Sequence, residues 1–138
     1  MQKIEEIQKE ILEDFDMFED WIQKYEYLID LGKDLPSIDE KYKTEENLIK
    51  GCQSRVWLHA EESSGNIIFS ADSDAIMTKG IVALLIKVLS GQSANDIAHA
   101  NLDFINKIGL KEQLSATRAN GLLSMIKQMK LYAIAIDK

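Results

Sequence analysis

The segment "GCQSRVWLHAEESSGNIIFSA", residues 51–71, decides the fold class of this 138-residue chain. Val56, Leu58 and Ala60 alternate with polar or amphipathic residues, which is the period of a strand with one buried face. The "EESSGN" run contains Gly65 and predicts a turn, and "IIFSA" is a second β-rich run. The segment therefore predicts an antiparallel β-hairpin.

Helical periodicity precedes this hairpin. The first apolar series has the i, i+3, i+7 spacing of an amphipathic helix, with Ile4, Ile7, Ile11, Leu12 and Phe15 on one face. Asp16 is in a position to cap a second helix, which Gly32 is expected to end. The "ENLI" run just before Gly51 predicts a short third strand.

Helical periodicity also follows the hairpin. In "SDAIMTKGIVALLIKVLSG" Asp74 is a suitable cap, and the apolar face is broad enough to predict a mostly buried helix. Ser93 begins a short helix and Ser115 begins the last one. We expect one domain over residues 1–138, an α+β fold in which a small antiparallel sheet of about three strands packs with N-terminal and C-terminal helices.

Charge and hydropathy exclude some classes of function. The formal net charge is −7, and residues 1–46 alone carry 15 acidic and 6 basic side chains. This acidic third argues against a nucleic-acid partner, whose phosphates it would repel. We read it as a solvated helical face, or else as a surface for a basic partner. No apolar run approaches the roughly 20 residues of a membrane span, and no signal peptide is recognisable, so we expect a cytoplasmic protein without a membrane partner.

Metal binding is not predicted. The chain has one cysteine, Cys52, and two histidines, His59 and His99, without the paired spacing of a structural zinc site. One cysteine also cannot form an internal disulfide.

Cys52 is the main candidate for chemistry. It follows Gly51, which permits a tight bend, and its neighbours Gln53, Ser54 and Arg55 are not typical of a core. A lone cysteine can be a small buried apolar residue or a reactive thiol, and these neighbours favour the second interpretation.

A self-sufficient thiol hydrolase is not indicated. Such chemistry needs a base within hydrogen-bond reach of the nucleophile. His59 is an odd number of residues from Cys52, which in a regular strand directs the two side chains to opposite faces. Asp72 and Asp74 resemble a paired-carboxylate acid–base set, but a helix-capping role is the favoured interpretation of Asp74.

Two residues in "LSATRANGLL" are unusual for a helix. Arg118 falls in the first turn, where a cation opposes the helix dipole and requires a local carboxylate or a bound anionic species. Gly121 lies inside the same helix, which costs about 1 kcal/mol relative to alanine and would be explained by a close backbone contact.

These motifs together resemble a known family. "GCQSRVW", then "SDA" with "KG", then "SGQS" and "LSATRANGL", occur in the order typical of the SufE family of Fe–S metabolism-associated sulfur acceptors. The upstream "LIDLGKDLP" fits as well, so the resemblance extends from about Leu28 to about Met129.

The resemblance implies a fold related to IscU-type scaffolds and a role in sulfur transfer. Proteins of this kind accept sulfur from a SufS- or CsdA-type cysteine desulfurase and stimulate it. They then pass the sulfur to an Fe–S scaffold or another sulfur-accepting protein. The pyridoxal phosphate belongs to the desulfurase, and the acceptor has no cofactor of its own. The matching persulfide-forming residue is Cys52. We assign persulfide support or partner contact to its neighbours in these motifs: Gly51, Gln53, Ser54, Arg55, Asp74, Arg118 and Asn120.

Sulfur transfer also agrees with the residues themselves. A thiolate attack needs one thiol here and a leaving thiol on the partner. Because a thiol with a pKa of about 8.5 is partly ionised near neutrality, we expect no internal base to be obligatory. We also expect the Cys52 loop to be protected in the free protein and to open on docking. A non-catalytic adaptor and a thiol enzyme or redox sensor are the alternative functions.

Overall fold

The computed structural model describes residues 3–36, 38–52 and 54–137. The regular elements, in chain order, are α1 (Ile4–Asp16), α2 (Trp21–Lys33), β1 (Val56–Ser63), β2 (Asn66–Ser73), α3 (Ile76–Leu89), β3 (Gln92–Ser93), α4 (Ala94–Ala98), α5 (Phe104–Lys107), α6 (Leu110–Gln113) and α7 (Ala116–Asp137). Two short 3₁₀ turns, Glu40–Tyr42 and Glu45–Asn47, lie between α2 and β1. The predicted α+β class is confirmed.

The predicted hairpin is formed by β1 and β2. The strands pair antiparallel with Leu58 opposite Ala71 and Ser63 opposite Asn66, which leaves a two-residue turn. Ser64 and Gly65 have φ values of 53° and 85°, and a two-residue hairpin turn of type I′ requires positive φ at both positions. The alternation read from the sequence holds, since Val56 and Leu58 are fully buried.

The third strand is not where the sequence placed it. Leu48, in the "ENLI" run, makes only a single isolated bridge with Trp57. The third strand is β3, which pairs antiparallel with β2 through Gln92, so that β2 is the central strand. Two residues are too short for an alternating pattern, so β3 had no signal of its own in the sequence.

The core is organised around α3, whose apolar surface extends round most of the helix. Ten of its fourteen residues are buried. It contacts α2, β2, α1 and α7, which together surround it. The expected burial of this helix is therefore confirmed.

The contact between α2 and α3 is a backbone contact. A Cβ on Gly80 would collide with the carbonyl oxygen of Leu28, and a Cβ on Gly32 would lie 3.0 Å from the Gly80 nitrogen. Gly32 was expected to end α2 but lies inside it, and the helix ends at Lys33. The glycine is needed for close helix packing rather than for a cap.

Two predicted helix caps are also corrected. The cap of α2 is Asp20, whose side chain accepts a hydrogen bond from the Gln23 backbone at 3.0 Å, and Asp16 is the last residue of α1. The residue at the N-cap of α3 is Ala75, without a side-chain cap. Asp74 instead bonds to the loop that carries the cysteine, as described below.

The last helix, α7, begins as predicted. The Ser115 hydroxyl accepts a hydrogen bond from the backbone nitrogen of Arg118 at 3.2 Å. Its inward face has helical spacing and is formed by buried side chains, among them Leu122, Met125, Met129 and Ala133. This face packs against α4, α3 and β1. In the part of the chain that the structure describes, no helix is long and apolar enough to cross a membrane.

We predict that Gly80→Ala lowers the free energy of unfolding by about 2 kcal/mol, because the added methyl group overpacks the α2–α3 contact. Helix propensity alone predicts the opposite, a gain of about 1 kcal/mol. Urea denaturation measures the difference. A more stable variant would contradict the close helix contact.

Candidate functional site

The cysteine lies in a short loop whose base is closed by two sets of hydrogen bonds. The Ile49 backbone nitrogen donates to the Val56 carbonyl at 2.9 Å. The Arg55 nitrogen donates to Asp74 Oδ1 at 3.1 Å, and the Asp74 nitrogen donates to the Arg55 carbonyl at 3.3 Å. Asp74 is therefore a clamp between the loop and the start of α3, which explains why it does not cap the helix.

Glycine allows this loop to lie directly on α7. Gly51 has a φ of 95°, as the predicted tight bend requires, and a Cβ there would lie 2.5 Å from Ser124 Oγ. On the helix side, a Cβ on Gly121 would lie 3.4 Å from the sulfur of Cys52. The close approach predicted from Gly121 is thus confirmed, and the cysteine is the group that makes it.

The Cys52 thiol faces the backbone of α7. Its Sγ donates a hydrogen bond to the Gly121 carbonyl oxygen at 3.6 Å, and the side chain is half-buried. A small free space of about 10 Å³ lies beside it, which is close to the minimum that one water molecule needs. The space is lined by Cys52, Ser54, Thr78, Ile81, Arg118, Gly121 and Met125.

Burial raises the pKa of the Cys52 thiol above its ordinary value. The expectation of a partly ionised thiol near neutrality is therefore corrected for the free protein. A protonated sulfur also fits the geometry, because only the thiol form can donate to the Gly121 carbonyl. The resting site holds a shielded, weakly nucleophilic cysteine.

Arg118 is in the first turn of α7, as predicted, and it lines the space beside Cys52. Its side chain is exposed. Among the described residues, no carboxylate forms an ion pair with its guanidinium. The local salt bridge that would have given it a structural role is not found there, so the guanidinium is free to meet an anion at the sulfur.

Of the other predicted site residues, some lie at the cysteine and some have side chains exposed to solvent. Ser54 lines the space beside Cys52, and Gly51 supports the loop. Arg55 takes part through its backbone, with its side chain exposed, and Asn120 is exposed and not part of the lining. Gln53 lies outside the described residues.

The structure provides no base for Cys52 in the described lining. His59 stacks on Tyr42 with ring centroids 3.5 Å apart, and His99 Nδ1 is 2.9 Å from the Asn95 carbonyl oxygen. Asp72 forms ion pairs with Lys43 at 2.7 Å and Lys79 at 3.4 Å, so it is not one half of an acid–base dyad with Asp74. In residues 3–36, 38–52 and 54–137, no three Cys, His, Asp or Glu side chains are grouped to hold a metal ion.

Sequence reasoning missed three residues of this site. Thr78 and Ile81 come from α3, and Met125 comes from the buried face of α7. One signal was present for Thr78, since it is a polar residue among the apolar residues of a buried helix. Its proximity to Cys52 depends on how α3 and α7 pack.

Comparison with known proteins identifies the family. Residues 9–133 match the family model for SufE, described as an Fe–S metabolism associated domain. This chain belongs to the SufE family. The resemblance seen in the motifs is therefore confirmed, and SufE membership associates the protein with Fe–S metabolism.

Several SufE-like relatives align over most of the chain. An uncharacterised SufE-like protein of Rhizobium meliloti is 42% identical, over 88% of this chain and 90% of its own length. A Synechocystis SufE-like protein is 38% identical, over 92% of this chain and 80% of its own. The Arabidopsis thaliana SufE-like protein 1, named as chloroplastic/mitochondrial, is 40% identical over 99% of this chain, which spans only 38% of that protein.

A solved structure has the same fold. The solution structure of a hypothetical protein from Thermus thermophilus superposes with a TM-score of 0.78, over 94% of both chains. Its sequence identity of 20% limits that comparison to the fold.

We predict that alkylation of Cys52 by iodoacetamide is slower than that of a small thiol and has a higher pH midpoint. Thiolate is the reacting form, and burial favours the neutral thiol. Because the chain has one cysteine, all label reports this site. The same protein unfolded in urea is the control and should react like a small thiol. A midpoint equal to or below that of the control would contradict the shielded site.

Proposed function

We propose that this SufE-family protein accepts sulfane sulfur on Cys52 from a pyridoxal-phosphate cysteine desulfurase and passes it to Fe–S cluster assembly. The observation that carries the proposal is the thiol itself. It is half-buried on the backbone of α7 beside Arg118, which forms no ion pair with a described carboxylate. The described lining contains no base and no second cysteine. This arrangement suits a carrier better than an enzyme acting alone.

The transfer step needs only groups that the two proteins supply. The Cys52 thiolate attacks the outer sulfur of a persulfide on the desulfurase cysteine. The donor S–S bond breaks, and its electron pair leaves with the desulfurase sulfur as a thiolate. Cys52 then carries the outer sulfur, and a later thiolate on the scaffold or another acceptor takes it by the same exchange.

Docking would activate the thiol. The resting site favours the protonated form, so a loop movement that removes Cys52 from α7 would lower the thiol pKa toward its ordinary value. Gly51, with its positive φ, and Arg55, held by Asp74, lie on either side of Cys52 and support a bend of the loop between them. The opened loop would take the product sulfur from the desulfurase cysteine. The desulfurase would be stimulated because its cysteine is then free for the next turnover.

Exposed apolar side chains on the two helices that line the site are compatible with a protein partner. Ile76, at the first turn of α3, is 70% exposed, and Leu123, on α7, is 47% exposed. A free space of about 10 Å³ is too small for a metabolite, which favours a macromolecule as the sulfur donor. The pyridoxal phosphate would be supplied by that partner. With one cysteine, the chain cannot hold a cluster through several thiolates as an IscU-type scaffold does.

Incubation with desulfurase, pyridoxal phosphate and cysteine should raise the intact mass of the protein by one sulfur, reversibly with reductant. Cys52→Ala should take up no sulfur and should lose stimulation of the desulfurase. A variant that still stimulates fully would favour the adaptor alternative. Sulfur on another residue, or turnover of a substrate without a partner, would contradict the carrier role.

Arg118→Ala should lower desulfurase stimulation several-fold, because the guanidinium would no longer neutralise the anionic sulfur during transfer. The free energy of unfolding should stay within about 0.5 kcal/mol of wild type, since the side chain is exposed and forms no ion pair with a described residue. Lys127→Ala is the matched control, because it removes an exposed cation from α7 that does not line the space beside the cysteine. If both variants lower desulfurase stimulation equally, the loss is due to the change in net charge and not to the position of Arg118.

A further inference from the structure

Formation of a persulfide on Cys52 changes the hydrogen bonds that the sulfur can make. As a thiol, Cys52 donates its only hydrogen to the Gly121 carbonyl oxygen. In a persulfide, Sγ is bonded to the outer sulfur and has no hydrogen to donate. The outer sulfur, as an anion, is a hydrogen-bond acceptor, so the Gly121 carbonyl becomes an unfavourable neighbour. The loaded state therefore needs a donor that the resting thiol does not use.

The free space beside Cys52 has the size for one added atom. Its volume of about 10 Å³ is close to that required by a single water molecule. The apolar part of its wall is formed by Ile81 and Met125, both buried. An anion placed there would be poorly solvated unless the wall also offered a donor.

Thr78 offers that donor. Its side chain is only 6% exposed and lines the space. Among residues 3–36, 38–52 and 54–137, none forms a hydrogen bond with its hydroxyl. In the same described part of the chain, no side-chain oxygen that is sealed from solvent lacks a partner. The Thr78 hydroxyl therefore borders solvent-accessible space, and Thr78 is one of the residues that line the space beside Cys52.

Thr78 is the third residue of α3, and none of the described residues forms a hydrogen bond with its hydroxyl. Most of its neighbours in α3 are buried and apolar, and valine would fill nearly the same volume without an unpaired hydroxyl. Packing of α3 alone therefore does not account for a hydroxyl here.

We propose that the space lined by Thr78 is the binding site for the outer sulfur of the Cys52 persulfide, and that the Thr78 hydroxyl donates a hydrogen bond to it. Arg118, at the exposed side of the same space, supplies the opposite charge, while Thr78 supplies the donor on the buried side. This inference rests on the proposed sulfur-carrier function and adds the residue that stabilises the loaded state.

An exchange equilibrium with a small persulfide tests this site without a desulfurase. The protein is equilibrated with a fixed ratio of glutathione persulfide to glutathione. The Cys52 thiolate takes the outer sulfur, the donor S–S bond breaks, and glutathione leaves as a thiolate. Intact mass gives the loaded fraction and separates added sulfur from a mixed disulfide with glutathione.

Thr78→Val should lower the equilibrium constant for loading about tenfold or more, the effect of losing one hydrogen bond to a charged acceptor. Thr78→Ser keeps the hydroxyl and should load within about twofold of wild type. The melting temperature of the valine variant should equal or exceed that of wild type, because valine replaces an unpaired hydroxyl with a methyl group of similar size.

The outcomes separate this inference from the carrier function. If wild type loads and the valine variant loads equally, the Thr78 site is wrong and the carrier function stands. If the valine variant loads less but also melts well below wild type, the loss belongs to packing and the site is again overturned. If wild type takes up no sulfur while a small thiol does, both proposals fall.

Discussion

Burial of α3 on nearly all sides is the constraint around which the other elements are arranged. A helix that is apolar round most of its surface is stable only if other elements cover it, and α2, the sheet, α1 and α7 do so. On one side the packing is especially close, because Gly80 lies directly against the backbone of α2. The same helix brings Thr78 and Ile81 from its first turns to the cysteine. The packing that stabilises the core therefore also forms the inner wall of the site.

The cysteine site depends on the missing side chain of Gly51. Gly51 lets the loop bend toward α7, and the sulfur then lies against the helix at Gly121. The result is a thiol whose protonated form is favoured both by burial and by the Gly121 carbonyl. A carrier would benefit from this arrangement, because a thiol that reacts slowly in the free protein is protected from oxidation and becomes a stronger nucleophile when a partner opens the loop.

Predictions from short sequence segments were correct where one physical reason dominates the choice of a residue at its position. The alternation in β1 fixed the buried face of the hairpin, Ser115 marked the start of α7, and Gly121 inside a helix signalled a close contact. Glycine and aspartate were misread where several reasons compete. Gly32 serves helix packing instead of a cap, and Asp74 clamps Arg55 instead of capping α3.

From the sequence alone we could predict the α+β class, the hairpin, the SufE family and the candidate reactive residue, Cys52. These predictions rest on short-range periodicity and on motifs within short segments of the chain. The tertiary structure was needed for the position of β3, the raised pKa of the thiol and the place of Thr78 in the lining beside it. Each of these depends on contacts between residues far apart in the chain. The pairing partner of a two-residue strand, the burial of a thiol and the donors near it are set by how α3, α7 and the hairpin pack together.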